Sequence, residues 1–436
     1  MVFEMKDIVK VYSDGVRAND GVNLHLNRGE ILAIVGENGA GKSTIMKILY
    51  GLEKPTSGQI LVNGKPVRFR NPSDAMAHGI GMVQQHFMLF DQMTIAENIV
   101  FKNEIHKGPL MDMNGTVEAV QALSDKYQLK IDPRARISDC PVGLRQRVEI
   151  LKILYQSAEI IIFDEPSAVL TPLEVEALLD TIRKLAAAGK SIVLITHKLQ
   201  EVMAVADRVY VMRQGRVVAE RMKQETNIEE LAFLMVGHQI VDRQIPQLEP
   251  GRVMLETQGL SLHVDGRDVL KDVSLHVNAG EIVGIAGVSG NGQSELISCI
   301  TGLMASSGGK VLVGGQDVTG KSVLEIRKAG LAHIPEDRYA VGSATDATLE
   351  ENALMGRQDE MPFSRRGFVR HGAVRAYAEK LIADFGVKAS SAIQKMSELS
   401  GGNAQKLIVA REMSMNTPVL ICCEPTRGID VGAMEA

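Results

Sequence analysis

The sequence predicts an α/β protein built from two copies of one domain, and three observations carry that prediction. A long block repeats within the chain, short apolar runs alternate with helical patterns, and a glycine-rich motif sits between one such run and a helix. Residues 21 to 44 read GVNLHLNRGEILAIVGENGAGKST and residues 272 to 295 read DVSLHVNAGEIVGIAGVSGNGQSE, at an offset of 251 with half of the 24 positions identical. GIGMVQQ from Gly79 matches GLAHIPE from Gly330 at the same offset. Cys140-Pro-Val-Gly-Leu144 then matches Leu399-Ser-Gly-Gly-Asn403, and Asp164-Glu165 matches Cys423-Glu424, both at 259. Collinear matches with so little drift indicate a duplicated domain.

A chain of 436 residues is too long for one ordinary core and suits two. The seam falls in VGHQIVDRQIPQLEPG, whose prolines, glycine and scattered charges suit a linker. This gives a first domain over 1–236, a linker over 237–252 and a second domain over 253–436. ILAIVG, EIIIFDE and SIVLITH read as buried strands, and EVEALLDTIRKLAAAGK between the last two has helical periodicity. Strands alternating with helices predict a sheet with a substantial parallel component. Residues 87 to 140 lack such strands and are predicted to form a mainly helical lobe.

Composition narrows the class. A formal net charge of -5 counts against a nucleic-acid binder, which carries a basic face. The cysteines Cys140, Cys299, Cys422 and Cys423 form no C-x-x-C pair and read as reduced thiols. No run of eighteen apolar residues occurs, and the N-terminus has no apolar signal core. A membrane role therefore needs a partner.

Gly36-Glu-Asn-Gly-Ala-Gly-Lys-Ser-Thr44 fits G-x-x-x-x-G-K-[ST] without mismatch, after the run ILAIV and before IMKILYGL. Gly36, Gly39 and Gly41 let the backbone around Asn38 wrap phosphates with its N–H groups, and the helix start near Thr44 adds a favourable dipole. Lys42 is placed to neutralise β- and γ-phosphates, and Ser43 to ligate Mg²⁺. IIIFDEP brings a strand to Asp164, a further Mg²⁺ position, and to Glu165, which can polarise an attacking water. Gln85 and His197 are taken to end two other strands and so fall at the sheet's carboxyl edge, where nucleotides bind in open α/β folds.

In this order the motifs resemble the ABC ATPases: a P-loop, a glutamine loop, a signature, D-E-P and a switch histidine. VGLRQRVEILKILY, DEPSAVLTPLEVEALL and THKLQEVMAVADRVYVMRQGRVV, with GVSGNGQSELI and IPEDR later, are similar to the tandem ATP-binding subunits of bacterial importers for simple sugars and nucleosides. The resemblance implies two P-loop ATPase domains in tandem, each an α/β core with a helical lobe. It implies that Tyr12, taken as lying in the strand before the P-loop strand, stacks on adenine, and that Gln85 helps to hold Mg²⁺. It also implies head-to-tail pairing, each P-loop facing the other domain's signature. The activity implied is ATP hydrolysis that drives import of a small polar solute through an integral membrane permease, with an extracytoplasmic solute-binding protein delivering the cargo. The subunit would be peripheral, at the cytoplasmic face of the inner membrane.

The two copies are unequal. The first keeps its catalytic parts, but Cys140-Pro-Val-Gly-Leu144 stands where the family has Leu-Ser-Gly-Gly-Gln. The second keeps Ser400, Gly401 and Gly402 but has Gln293 for the lysine, Glu295 for the threonine, Cys423 for the Mg²⁺-binding aspartate and Glu336 for Gln85. Under head-to-tail pairing the good halves meet: Lys42, Ser43, Gln85, Asp164, Glu165 and His197 with Ser400, Gly401, Gly402 and Asp430. A soluble tandem ATPase acting on ribosomes or nucleic acid is the alternative, and a non-catalytic regulatory module a second one. The single good site and short linker count against the first, and the intact catalytic set against the second.

At the repeat spacing, the counterpart of His197 falls beyond Ala436. The second domain is thus expected to be C-terminally truncated, as a shortened product or a fragment, with an apolar sheet edge exposed.

Overall fold

A computed structural model describes residues 1–13, 15–84, 87–168, 170–238, 249–287 and 290–426. The chain divides into two units, Met1–Val241 and Asp242–Ala436. The last helix of the first, Ile228–Val236, stops at Gly237 in the left-handed conformation, and the second unit's first strand starts at Val253.

The first unit has two sheets. One is antiparallel, with Arg17–Leu26 beside Phe3–Val11, then Ser57–Val62 and Lys65–Val67. The other has six strands in the order Arg216–Met222, Arg208–Arg213, Ile31–Gly36, Ser191–Ile195, Ile160–Asp164, Ile80–Val83. Only its first pair is antiparallel. Ile31–Gly36, Ile160–Asp164 and Ser191–Ile195 are buried at every position, as continuous apolar runs covered on both faces require. Four of the five parallel strands carry the site's edge, ending at Gly36, Val83, Asp164 and Ile195.

The helical lobe holds Ile95–Val100, Met113–Tyr127 and Val142–Tyr155. It is not strand-free: His106–Lys107 and Leu110–Met111 form a small ribbon within the 87–140 span. Strands of two residues leave no periodic signal. Asn98 anchors the lobe. It is fully buried, its Oδ1 accepts from the Phe90 N–H (2.8 Å), and its Nδ2 donates to the carbonyls of Phe90 (3.1 Å) and Thr94 (3.0 Å). Thr94 and Glu97 close a capping box on the same helix.

The second unit repeats these parts. Val253–Val264 pairs with Arg267–Asn278 and Gly308–Val313, as their counterparts do. Leu331–Ile334 lies parallel to Val419–Cys422, as Ile80–Val83 lies parallel to Ile160–Asp164. Asn352 repeats Asn98: its Oδ1 accepts from Ala344 N–H and its Nδ2 donates to the carbonyls of Ala344 and Thr348, all at 2.9 Å, beside the capping box of Thr348 and Glu351.

One part differs. Residues 281–287, counterpart of the P-loop strand, join no ladder, and Ile282 is 84% and Ile285 50% exposed. In the first unit this strand runs between Ser191–Ile195 and Arg208–Arg213. An isoleucine as exposed as Ile282 forgoes most of the roughly 1.5–3 kcal/mol that full burial gives.

Within the second unit's short parallel pair, burial holds His333 down at about 4, with Arg327 adding to it and Glu412 opposing it. That lies below the ordinary value of 6.5, so the unfolded chain takes up the proton first. Stability present above pH 6.5 is lost as pH falls toward about 4. Urea midpoints measured across that window should fall less steeply in His333→Gln than in wild type; parallel slopes would refute the assignment. Asn98→Ala takes the side-chain acceptor from the Phe90 N–H and two donations from carbonyls that keep backbone partners, and should destabilise the first unit by about 1–3 kcal/mol in urea unfolding, with Asn352→Ala doing the same to the second.

Candidate nucleotide site

The sheet's carboxyl edge in the first unit gathers the groups that the sequence singled out. The P-loop leaves the strand at Gly36, where a Cβ would collide with the Met212 carbonyl. Gly41 caps helix Lys42–Leu49 at φ 93°, and a Cβ there would strike the Ala18 carbonyl and the Asn19 amide. Asn19 is buried and its Nδ2 donates to the Gly41 carbonyl (3.1 Å), fixing the loop from behind. Asn38 and Gly39 are exposed at the loop's crown, and Thr44 is half-buried behind Ser43. Lys42 is buried, and its Nζ donates to the carbonyls of Gly36 (2.8 Å) and Glu37 (2.9 Å).

Ser43 Oγ donates to Asp164 Oδ1 at 3.0 Å, joining groups 121 residues apart. Burial pushes the Asp164 carboxyl above its ordinary range, while Ser43's hydrogen bond opposes the shift and Glu165's charge adds to it. Glu165 lies beside His197, with Oε1 3.3 Å from Nδ1. That hydrogen bond holds the Glu165 carboxyl below its ordinary range against the effect of burial. Strand Ser191–Ile195 ends two residues before His197, so the histidine stands on the following loop. Glu165 has φ 48°, a strained value for a non-glycine residue, and Glu424 repeats it at 44°. The turn that aims the carboxylate is thus kept in both units.

Four residues that sequence reasoning passed over, Glu201, Ser167, Thr196 and Gln146, hold this pair in place. Buried Glu201 accepts from Ser167 Oγ (2.5 Å) and Thr196 Oγ1 (3.2 Å), joining the turn after Glu165 to the turn before His197. The signal was present, since each hydroxyl stands at a fixed step from a catalytic residue, in DEPS and ITH. Buried Gln146 donates from Nε2 to the Pro166 carbonyl (2.8 Å), tying the signature helix to the same turn.

Tyr12 is not within the strand before the P-loop strand. Phe3–Val11 ends first, and Tyr12 opens the tight turn before Arg17–Leu26, its N–H bonded to the Val16 carbonyl at 2.9 Å. Two strands, not one, precede the P-loop strand. The ring is half-buried with Lys10 Nζ 4.9 Å from its centroid. Gln85 and Asp430 lie outside the described residues, and strand Ile80–Val83 stops two residues short of Gln85.

The signatures differ as their sequences do. In the first unit the Gly143 N–H is taken by Glu174 Oε1 (3.2 Å), and Val142 and Pro141 present no hydroxyl. In the second, exposed Ser400 begins helix Gly401–Met413, its Oγ accepting from Asn403 Nδ2 (2.8 Å), and the Gly401 carbonyl accepts from Arg338 Nη1 (2.8 Å). Gly402 follows on the first helical turn. The second P-loop has Gln293 folded toward Gly287, where a Cβ would collide with its amide, and Ser294 Oγ donates to Glu336 Oε2 (3.3 Å). Cys423 Sγ stands 3.6 Å from His333 Nε2 where the first unit has its aspartate. Burial, then Cys422, Glu336 and Glu424, push the Cys423 thiol up to about 11.

Among the described residues no helix is long and apolar enough to cross a membrane. A family model described as ABC transporter matches residues 19–168 and 270–427. The nucleoside import ATP-binding protein NupA of Lactococcus lactis subsp. cremoris is 44% identical, covering 100% of this chain and 86% of its own. The guanosine import ATP-binding protein NupO of Bacillus subtilis is also 44% identical, over 100% of this chain and 85% of its own. The ribose import ATP-binding protein RbsA 1 of Rubrobacter xylanophilus is 39% identical, over 99% and 85%. With a P-loop, a D-E turn and a switch histidine on one sheet edge of the first unit, and the family model matching both units, the chain belongs to the ABC transporter family and is an ABC-type ATPase with two cassettes in tandem.

Proposed function

We propose that this ATPase energises import of nucleosides, or of a closely related small polar solute, and that one composite ATP site carries the turnover. The observation that carries the reading is the sorted asymmetry. Lys42, Ser43, Asp164, Glu165 and His197 stand together in the first unit, while Gln293, Ser294, Cys423 and Glu424 hold the matching positions in the second. The good signature lies in the second unit and the worn one in the first. Under the head-to-tail pairing of the family, Ser400, Gly401, Gly402 and Asp430 complete the first P-loop. Tyr12, at its turn, is the candidate for the adenine contact.

The chemistry follows from the groups in place. Lys42 exchanges the carbonyls of Gly36 and Glu37 for the β- and γ-phosphates of ATP. The donors Ser43 and Asp164, with Gln85, fit Mg²⁺: they are hard oxygens, and Asp164 carries a burial penalty that a cation relieves. Mg²⁺ there would offset charge on the transferring phosphate. Glu165, ionised and oriented by His197, positions and polarises the attacking water. Closure on ATP and reopening after hydrolysis would drive a membrane permease, placing the subunit peripherally on the cytoplasmic face, with a solute-binding protein delivering cargo outside.

Two relatives named for nucleoside or guanosine import are 44% identical, against 42% for a glucose import ATP-binding protein of Haloferax volcanii and 39% for the ribose one, a small margin toward a nucleoside. All four are named for import, which does not favour a ribosomal or nucleic-acid role. In a deletion strain, labelled nucleoside uptake should be lost and restored by the gene; loss of ribose uptake alone would move the assignment to a sugar. With the permease present, Lys42→Ala and Glu165→Gln should each lower steady-state phosphate release by at least about 100-fold, whereas Gln293→Ala should leave it nearly unchanged. Equal losses from the two P-loop changes would end the one-site reading.

A further inference from the structure

We propose that Glu201 is a positioning residue for hydrolysis: with Ser167, Thr196 and Lys198 it closes a ring that sets Glu165 against His197, so that its loss slows turnover without weakening nucleotide binding. The inference rests on the one-site reading above.

The ring joins two turns from both sides. Ser167 Oγ donates to Glu201 Oε1 (2.5 Å), Thr196 Oγ1 donates to Oε2 (3.2 Å), and Lys198 Nζ lies 3.5 Å from Oε1. Lys198 Nζ also donates to the Ser167 carbonyl (3.0 Å), and the Lys198 N–H donates to Thr196 Oγ1 (3.0 Å). The residues before and after His197 are thereby tied to the turn that follows Glu165. Ser167, Thr196 and Glu201 are all buried, so solvent does not replace a lost partner. The 3.3 Å contact between Glu165 Oε1 and His197 Nδ1 lies between the two turns that the ring joins.

Glu201 is turned away from the local task its position invites. It is the third residue of helix Leu199–Val205, whose N-cap is Lys198. Glu97, Glu174, Glu325 and Glu351 hold the same position in their helices, and each bonds back to its own N-cap in a capping box. Glu201 instead gives its two oxygens to Thr196 and Ser167, one 34 residues away. A buried carboxylate diverted from its own helix to the two catalytic turns has its use there.

The P-loop is held separately. Asn19 bonds the Gly41 carbonyl, Lys42 bonds the carbonyls of Gly36 and Glu37, and Ser43 bonds Asp164. None of these contacts passes through the ring. Loosening the ring therefore leaves phosphate binding intact and displaces the groups that act on the attacking water, which lowers kcat and spares KM.

The test is steady-state phosphate release by the full chain with its permease, with kcat counted per chain that binds a non-hydrolysable ATP analogue. Ser167→Ala, Thr196→Val and Glu201→Gln should each lower that kcat by about tenfold or more, while KM and the analogue's Kd change by no more than about twofold. The double variant Ser167→Ala/Glu201→Gln should stay within about threefold of the slower single, because both changes open one ring. Counting only chains that bind the analogue removes any loss of folded protein, so a role in stability alone leaves this kcat unchanged. The proposal is overturned if kcat per binding chain is unchanged in Glu201→Gln, if KM and Kd rise along with the loss, or if the two losses multiply in the double variant. Glu165→Gln in the same assay separates the two readings. A loss there with none in the ring variants ends the ring's role and leaves the one-site reading standing, and no loss there ends both.

Discussion

The parallel ladder between Ile160–Asp164 and Ser191–Ile195 sets the geometry of everything at the first unit's nucleotide edge. Its register places Asp164 opposite Ile195, and the Glu165 N–H continues it by donating to the Ile195 carbonyl (2.9 Å). Asp164 therefore ends its strand facing Ser43 on the P-loop helix, and Glu165 turns into the left-handed region toward His197. A shift of one residue in this pairing would turn each side chain to the other face of the sheet and separate both pairs. Glu201 then bridges Ser167 and Thr196, so the two turns move as one body. Side chains held by two ladders and a buried carboxylate lose little freedom on binding a ligand, which is what a preorganised site requires.

The second unit shows the same backbone with its chemistry changed. Its Cys423-Glu424 turn keeps the strained conformation at Glu424, its lobe keeps the buried asparagine and capping box, and its short parallel pair keeps its register. What changes are the side chains that would meet phosphate and metal. A unit whose task were only to present Ser400 from helix Gly401–Met413 needs the frame behind that helix but not a cationic P-loop. Leu399, Leu407 and Ile408 pack that helix into a core with Ile334, Leu349 and Met396, so the signature is braced by residues of the same unit. The exposed stretch at 281–287 lies outside that core.

Legibility in the sequence followed how local each signal was. The P-loop could be read because its glycines answer backbone demands within nine residues, at Gly36 and Gly41 above all. The fold class could be read because buried parallel strands are continuous apolar runs. Asn98, Gln146 and Glu201 could not, since each is a lone polar residue whose partners are fixed only by tertiary contact. The T-x-x-E-N block at Thr94 and Thr348 is a further match between the copies, at a third offset of 254, and was hidden by insertions on either side. Tyr12 was misplaced because strand ends carry no sharp signal, and here a hairpin turn begins at that residue.

The charge at the two edges explains why the substitutions come as a set. In the first unit Lys42 sits among Asp164, Glu165 and the phosphate position, so a buried acid pair has a cation beside it. Replacing that lysine by Gln293 while keeping an aspartate would leave two adjacent carboxylates at a half-buried strand end without a counter-charge, a costly arrangement. Cys423 removes one of the two negative charges, since its half-buried thiol is held above its ordinary range and stays protonated. Glu336 then adds a carboxylate at an exposed position, where solvent screens it. Loss of the lysine, loss of the aspartate and the move of negative charge to the surface are thus one electrostatic adjustment, and they leave a thiol 3.6 Å from an imidazole.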